Sequence, residues 1–235
     1  MVHAQDILDA EQRLLQSAAP LHGAAGDVVL GAPESVCAYR LPGFIASVRK
    51  TSPEINVHLV PAGTDETFRG LLNRRLDIGL ILDDRKPLAN LTARRIGSER
   101  IDLVAARGHP VASRRVDWRG LVEFPYFLRE EGCSYSEFID DINAMTGTTP
   151  TITRFGSIES TRAWVEAGLC PSILPRVATK TPTDCRRLVR LPEPARPSID
   201  LTLATNDRRW QSPAVTTIGS ALVAVGARWE AGVPD

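Results

Sequence analysis

Residues 55–84 place an amphipathic stretch between two apolar runs, and this order constrains the fold more than any other part of the sequence. The first run, residues 55–60, ends at a Pro-Ala-Gly break, and Thr64 then opens a segment with an acidic first turn, as helix starts often do. Large apolar residues recur in this segment at spacings of three and four, which predicts one apolar helix face. The second run, residues 78–82, suits a strand buried on both faces. The stretch therefore predicts a strand, a helix and a parallel strand, in a fold of the α/β class.

Other parts of the chain are predicted to follow the same plan. We expect a strand at 27–31 before a helix that begins at Glu34, and a strand at 151–155 before a helix that begins at Ser157. Further strands are expected at 91–96, 101–106, 124–128, 169–174 and 198–204, and helices at 118–121 and 214–229. His109 precedes a proline and is expected in a turn. The second half of the chain is therefore predicted to form a second α/β unit.

The helix starts that follow these strands are the candidate binding positions. Ligands of parallel sheets usually bind beyond the carboxyl ends of the strands, where helix N–H groups and hydroxyls favour polar or anionic molecules. The residues expected at this site are Ser35, Gly63, Thr64, Cys133, Ser134, Ser157 and Ile158. Each hydroxyl taken singly is more often an ordinary helix cap, and it is the occurrence of four in equivalent places that favours a binding site. Acidic residues in the first turns, namely Glu34, Asp65 and Glu159, weigh against an anionic ligand.

Composition excludes several classes of partner. The formal net charge of the 235-residue chain is zero, so no strong positive field attracts nucleic acid or an anionic membrane. The N-terminus carries charges where a signal peptide needs an apolar core, and no apolar run approaches the ~20 residues that span a bilayer. We therefore expect a cytoplasmic protein without a membrane partner. Cys37, Cys133, Cys170 and Cys185 have neither metal-ligand nor disulfide spacing, and we expect no metal and no cofactor.

The sequence contains no recognisable catalytic motif. Residues 132–136 come near a Gly-x-Ser-x-Gly nucleophile elbow but end in serine, and no histidine follows His109 to complete a triad. Phosphate-binding loops, dinucleotide fingerprints and His-Glu-x-x-His zinc sites do not occur. The adjacent acidic residues Asp83 and Asp84 would point apart in a helix or a strand. We therefore expect that the protein is not an enzyme and has no catalytic residues.

Residues 55–82 resemble the effector-binding domain of LysR-type transcriptional regulators, in which a strand, a Gly-Thr turn, a helix and a Leu-Asp-Ile-Gly-Leu strand follow in this order. The His109-Pro110-Val111-Ala112 turn is similar to a turn of the same family, and the resemblance covers residues 4–226. It implies a two-lobed, periplasmic-binding-protein-like (type 2) α/β fold, in which each lobe is a mostly parallel sheet flanked by helices. The implied division is a preceding linker helix at 1–22, lobe I at 27–100 and 206–232, and lobe II at 101–205.

The function implied by this resemblance is that of the effector-sensing and oligomerisation domain of a LysR-type regulator. Such a domain binds a small polar or anionic metabolite between its lobes and forms a homodimer or tetramer. It contacts DNA only through a winged helix-turn-helix domain, which we expect upstream of this chain, so this chain alone should bind DNA negligibly. The alternative is an extracytoplasmic solute-binding protein of a transporter, which shares the two-lobed fold.

The chain departs from the family pattern at residues 168–171. Family members commonly read Gly-Leu-Gly-Ile where this chain has Gly168-Leu169-Cys170-Pro171, and Pro171 removes an N–H group from an expected strand. Cys133 lies in a loop where some members place a peroxide-sensing cysteine, but the second cysteine that they need is missing from residues 137–145. A ligand contact or simple packing is therefore favoured for Cys133 over redox sensing.

Overall fold

The computed structural model describes residues 24–83, 89–113, 125–129, 143–144, 146–148, 151–155, 157–179, 188–191 and 198–231. The helices expected at 1–22 and 118–121 lie outside these residues. The α-helices within them are α1 (Glu34–Tyr39), α2 (Leu41–Thr51), α3 (Thr64–Leu72), α4 (Ile158–Glu166) and α5 (Pro213–Glu230). Short 3₁₀ helices occur at Pro110–Ser113 and Arg176–Thr179. In this part of the chain no helix combines the length and the apolar character that crossing a bilayer requires.

The first sheet contains three parallel strands, in which β1 (Gly26–Ala32) lies between β2 (Ile55–Pro61) and β3 (Ile78–Leu82). The predicted strand, helix and parallel strand are therefore present, but β2 and β3 flank β1 and do not pair with each other. β3 is buried along its whole length, as its continuous apolar run predicts. Its residue Ile81 packs in one cluster with Phe68 of α3, whereas Leu80 packs in another with Ile218 of α5.

The second sheet repeats this arrangement. β5 (Tyr126–Arg129) runs parallel to β6 (Ile152–Phe155) and to β7 (Ser172–Pro175).

Two longer strands complete the first sheet in antiparallel pairing, namely β4 (Leu91–Ala106) and β9 (Ser198–Asn206). β4 also pairs antiparallel with β7 and with β8 (Leu188–Arg190) of the second sheet. Each sheet thus combines three parallel strands with antiparallel ones, in the α/β arrangement that the sequence predicts.

β4 is one continuous strand, whereas the sequence predicted two strands joined by a turn at residues 97–100. The register of β4 against β9 shifts between Arg95 and Gly97, so the expected turn is a bulge within a longer strand. Gly97 is needed there for close packing, since a Cβ atom on it would lie 2.7 Å from the carbonyl oxygen of Gly226 in α5. The glycine that suggested a turn therefore permits a helix to approach a strand.

β4 links the two sheets. Its residues 91–100 pair with β9, and its residues 101–106 pair with β7 and β8, so the change of partners falls where the first crossing between lobes was expected. β9 pairs with β3 and β4 and belongs to the first sheet from Ser198 onwards. We therefore propose a division into two lobes in which the return to lobe I comes before Ser198, rather than near residue 206 as the sequence suggested.

Candidate functional site

Ser35 lies in the first turn of α1, directly after β1. The N-cap position of α1 is Pro33, and no side chain caps this helix. Ser35 is 2% exposed, and its hydroxyl has no hydrogen-bond partner among the described residues. Burying a hydroxyl without a partner costs free energy. Ser35 is thus not the cap that its position suggested, and its hydroxyl is left buried without a hydrogen bond to the described residues.

Gly63 and Thr64 begin α3 at the same edge of the first sheet. Gly63 is the N-cap in an extended conformation, and no side chain caps α3. Thr64 is its first residue and is buried. β1 and β2 are paired to their ends, and the amide of Ala62 donates to the carbonyl oxygen of Ala32 over 2.8 Å. The starts of α1 and α3 therefore lie side by side, as expected for strands that end at one edge.

Ser157 is the N-cap of α4, as the sequence predicts. Its backbone is extended, and its Oγ accepts a hydrogen bond from the amide of Ser160 over 3.1 Å. The next residue, Ile158, is buried and donates its amide hydrogen to Oε2 of Glu34 over 3.0 Å. This contact joins the start of α1 to the start of α4. It brings together the predicted positions of both sheets, although 124 residues separate the two partners.

Tyr39, at the other end of α1, makes a second contact to α4. Its hydroxyl donates to the carboxylate of Glu159, and its ring packs against the apolar cluster of the second sheet around Ile158 and Val165. Burial raises the pKa of Tyr39 above its ordinary value, and the hydrogen bond to Glu159 raises it further. Both ends of α1 are therefore fastened to the first turn of α4.

Sequence reasoning identified Glu34 only as an acidic residue in the first turn of its own helix. In the structure its carboxylate binds an amide at the N-terminus of a different helix, which is the kind of position expected for a ligand anion. The sequence offered one indication of a role for Glu34 in the site, which is its position directly before the candidate residue Ser35. The partner could not be read from the sequence, because it comes from the other sheet.

Two buried carboxylates in the central part of β4 were also missed. Glu99 accepts from Nη2 of Arg40, which follows α1, over 2.7 Å. Asp102 accepts from Nη2 of Arg176 over 2.6 Å and from Thr179 Oγ1 over 3.0 Å. These bonds satisfy charges that would be costly to bury alone. They fix α1 and the 3₁₀ helix at Arg176–Thr179 to the strand that links the sheets.

Cys133 and Ser134 lie outside the described residues. His109 occupies a turn, as predicted: its amide donates to the carbonyl oxygen of Ala106 over 3.0 Å, and burial lowers the pKa of its imidazole. Pro171 precedes β7, which begins at Ser172, so no hydrogen bond of that strand is lost. Among the described residues no group of three His, Cys, Asp or Glu side chains could hold a metal ion.

The chain is similar to a known family of proteins. The family model of the LysR substrate binding domain matches residues 22–227. A protein of Bacillus subtilis (strain 168), described as the uncharacterized HTH-type transcriptional regulator YwqM, is 29% identical over 212 residues, which are 89% of this chain and 72% of that protein. Two further regulators of the same organism match over 55% of their length.

Two solved structures share the fold at lower identity. The effector-binding domain of QuiR in complex with shikimate superposes with a TM-score of 0.73 at 18% identity, over 86% of this chain and 98% of that one. The regulatory domain of CcmR from Synechocystis PCC6803 in complex with 2-PG superposes with a TM-score of 0.75 at 17% identity, over 86% and 97%. The periplasmic-binding-protein-like type 2 fold is therefore confirmed.

The curated relatives regulate transcription and are not enzymes, which agrees with the lack of catalytic motifs. The family model covers most of the chain, and the α/β fold of the chain is that of LysR effector-binding domains. The chain belongs to the LysR substrate-binding domain family.

Proposed function

We propose that this domain binds a small polar metabolite between its two lobes. Binding would change the angle between the lobes, and this change would be passed to a DNA-binding domain of the same regulator. The contact between Glu34 and Ile158 carries this proposal, because it brings the helix starts of the two sheets to one place. Domains of this family bind small-molecule effectors, as shikimate in QuiR and 2-PG in CcmR illustrate. Action on DNA implies the cytoplasm as the location.

We propose that the effector contacts Ser35, Gly63 and Thr64 on the first sheet and Ser157 and Ile158 on the second. The buried hydroxyl of Ser35, which has no partner among the described residues, supports this assignment most directly. The amides of a helix start favour an effector with an anionic group. We extend the same role to Cys133 and Ser134, which lie outside the described residues.

Calorimetry against a panel of metabolite anions and neutral polar metabolites tests this assignment. Once a binder is found, Ser35→Ala and Thr64→Ala should each lower its affinity about ten- to a hundredfold, the value of one hydrogen bond to a charged group. Ser47→Ala is the matched control, since Ser47 is an exposed serine on α2. Equal affinity in all four proteins would place the effector elsewhere.

We further propose that the domain forms a homodimer, in which α2 and the edge strand β2 of one chain face α5 of the other. Two open grooves support this arrangement: one of about 450 Å³ lies between α2 and β2, and one of about 470 Å³ lies beside α5. The second groove is lined by Ser220 among other residues. Ser220→Arg should shift sedimentation towards the monomer, whereas Ala163→Arg on α4 should not.

The alternative is a solute-binding protein of a transporter, with the same fold. Its gene would encode a signal peptide upstream of residue 1, whereas the gene of a regulator would encode a helix-turn-helix. Similarity to curated transcriptional regulators favours the regulator. Reading the upstream codons distinguishes the two functions.

A further inference from the structure

The N-terminus of α4 is capped twice, from two directions. Ser157 Oγ binds the amide of Ser160 within the helix, and the Glu34 carboxylate binds the amide of Ile158 from the other sheet. The first bond is an ordinary local cap. The second places a negative charge at the positive end of the helix dipole, where an external anion would also be stabilised. Glu34 thus occupies the position in which an anionic group of a ligand would bind.

The rest of α1 holds Glu34 in this position. Tyr39 bonds to Glu159 at the other end of α1, and Arg40 is paired with buried Glu99 over 2.7 Å. Because these contacts fix α1 relative to α4, the carboxylate of Glu34 is presented to the Ile158 amide with little loss of conformational freedom. A preorganised internal group competes well with a ligand from solution.

The charges around α4 make simultaneous occupation unfavourable. Glu159 lies in the same first turn, and Arg162 is paired with it over 3.1 Å. A ligand anion that joined Glu34 at this helix start would meet a carboxylate at short range, and like charges disfavour each other. Occupation of this helix start by a ligand anion and by the Glu34 carboxylate at the same time is therefore unfavourable, so the two would compete.

We propose that Glu34 is a specificity-determining residue that occupies the anion position at the start of α4 and competes with anionic ligands. This inference rests on the proposed function, since it concerns the same cleft. Glu34 keeps the two walls of the site in contact until an effector anion replaces its carboxylate at Ile158. The Glu34 side chain thereby raises the concentration at which small inorganic anions bind. Such anions make no further contacts that would offset the free energy of displacing the carboxylate.

Inorganic sulfate, titrated at constant ionic strength, tests the competition. The readout is the NMR signal of the Ile158 amide in protein labelled with ¹⁵N-isoleucine, assigned from Ile158→Val. Glu34→Gln removes the charge, and Glu34→Ala removes the acceptor as well. Glu66→Gln is the matched control, because Glu66 is an exposed carboxylate in the first turn of α3.

We expect sulfate to shift the Ile158 amide with a dissociation constant about tenfold lower in Glu34→Gln than in the wild type, the effect of removing one charged competitor. Glu34→Ala should lower it further, and Glu66→Gln should match the wild type. Equal constants in all four proteins would show that Glu34 does not compete. A signal that sulfate does not move in Glu34→Ala would equally overturn the inference.

The outcome is separable from that of the proposed function. The metabolite panel with Ser35→Ala and Thr64→Ala tests effector binding without reference to Glu34. If Ser35→Ala and Thr64→Ala bind a metabolite as tightly as the wild type but sulfate binds more tightly to Glu34→Gln, the competition stands and the effector site is wrong. If the panel succeeds and the sulfate constants are equal, the effector site stands and the role of Glu34 is wrong.

Discussion

α1 and α4 form opposite walls of the same candidate site, yet they are stabilised in different ways. α4 is capped by Ser157, the residue directly before the helix, and the sequence predicts this cap. α1 has six residues and no side-chain cap, and it is held by contacts to Glu99, Ile158 and Glu159, which lie far away in the chain. A short helix at this candidate site thus depends on tertiary contacts, whereas the longer helix carries a cap in its own sequence.

The strongest test of this difference is Glu99→Ala. The substitution leaves Arg40 without its buried partner, and breaking such a pair costs about 3–5 kcal/mol in the free energy of unfolding. Urea denaturation measures the loss. Asp200→Ala is the control, because Asp200 pairs with Arg95 at the surface, where both side chains are about half exposed and a pair contributes about 0–1 kcal/mol. Equal losses would show that the buried pair stabilises the fold no more than a surface pair does.

Ser157→Ala tests the local half of the comparison. Loss of the hydrogen bond to the Ser160 amide should lower the free energy of unfolding by about 1 kcal/mol, as N-cap substitutions typically do. Denaturation of Ser47→Ala, an exposed serine within α2, provides the baseline. If Ser157→Ala is as stable as this control, α4 is not stabilised by its own cap.

Tyr39→Phe removes one of the contacts that hold α1, and its effect should be smaller. The lost hydrogen bond to Glu159 is partly exposed and contributes about 0.5–1 kcal/mol. The raised pKa of Tyr39 also predicts a pH dependence, because its folded form keeps a proton that the unfolded chain releases above about pH 10. This contribution to stability is complete below that pH and is lost as the pH rises towards the folded pKa.

Absorbance of tyrosinate at 295 nm, measured against pH, reads this shift directly. The wild type should contain a tyrosine that ionises only at very high pH or on unfolding, and Tyr39→Phe should lack it. A late-titrating tyrosine that persists in Tyr39→Phe would contradict the assignment to this contact.

Ser35→Ala should have the smallest effect on stability, in contrast to Ser157→Ala. The Ser35 hydroxyl is buried and has no partner among the described residues, so its removal should leave the free energy of unfolding within about 0.5 kcal/mol or raise it slightly. The same substitution should lower effector affinity. A large loss of stability in denaturation would show that the hydroxyl is structural, and the comparison between the two serines would fail.

Elements with a strong local signal were predicted well. The continuous apolar run of β3, the amphipathic face of α3 and the Ser157 cap each follow from residues a few positions apart. The prediction divided the strand at 91–106 in two, because a glycine such as Gly97 is equally typical of a turn and of a bulge. Only Gly226, which lies 129 positions further along, explains why glycine is needed there.

The candidate site shows the same limit to local patterns. Sequence spacing identified Ser35, Thr64 and Ser157 as residues at helix starts, and strand order placed two of them at one sheet edge. It gave no sign that Pro33 would take the cap position from Ser35, or that Ile158 would receive its acceptor from Glu34. Hydroxyls and carboxylates near a helix start satisfy the same backbone amides, so their residue types alone do not say which group binds which helix.

The sequence by itself determined the α/β class, the family and the set of helix starts around the site, because apolar periodicity and capping act over a few residues. The tertiary structure decided that β4 joins the sheets without interruption, that β9 belongs to the first sheet and that Glu34 occupies the start of α4. These features depend on which distant segments pack together, since a hydrogen bond or a close approach between two elements requires both partners to be in place.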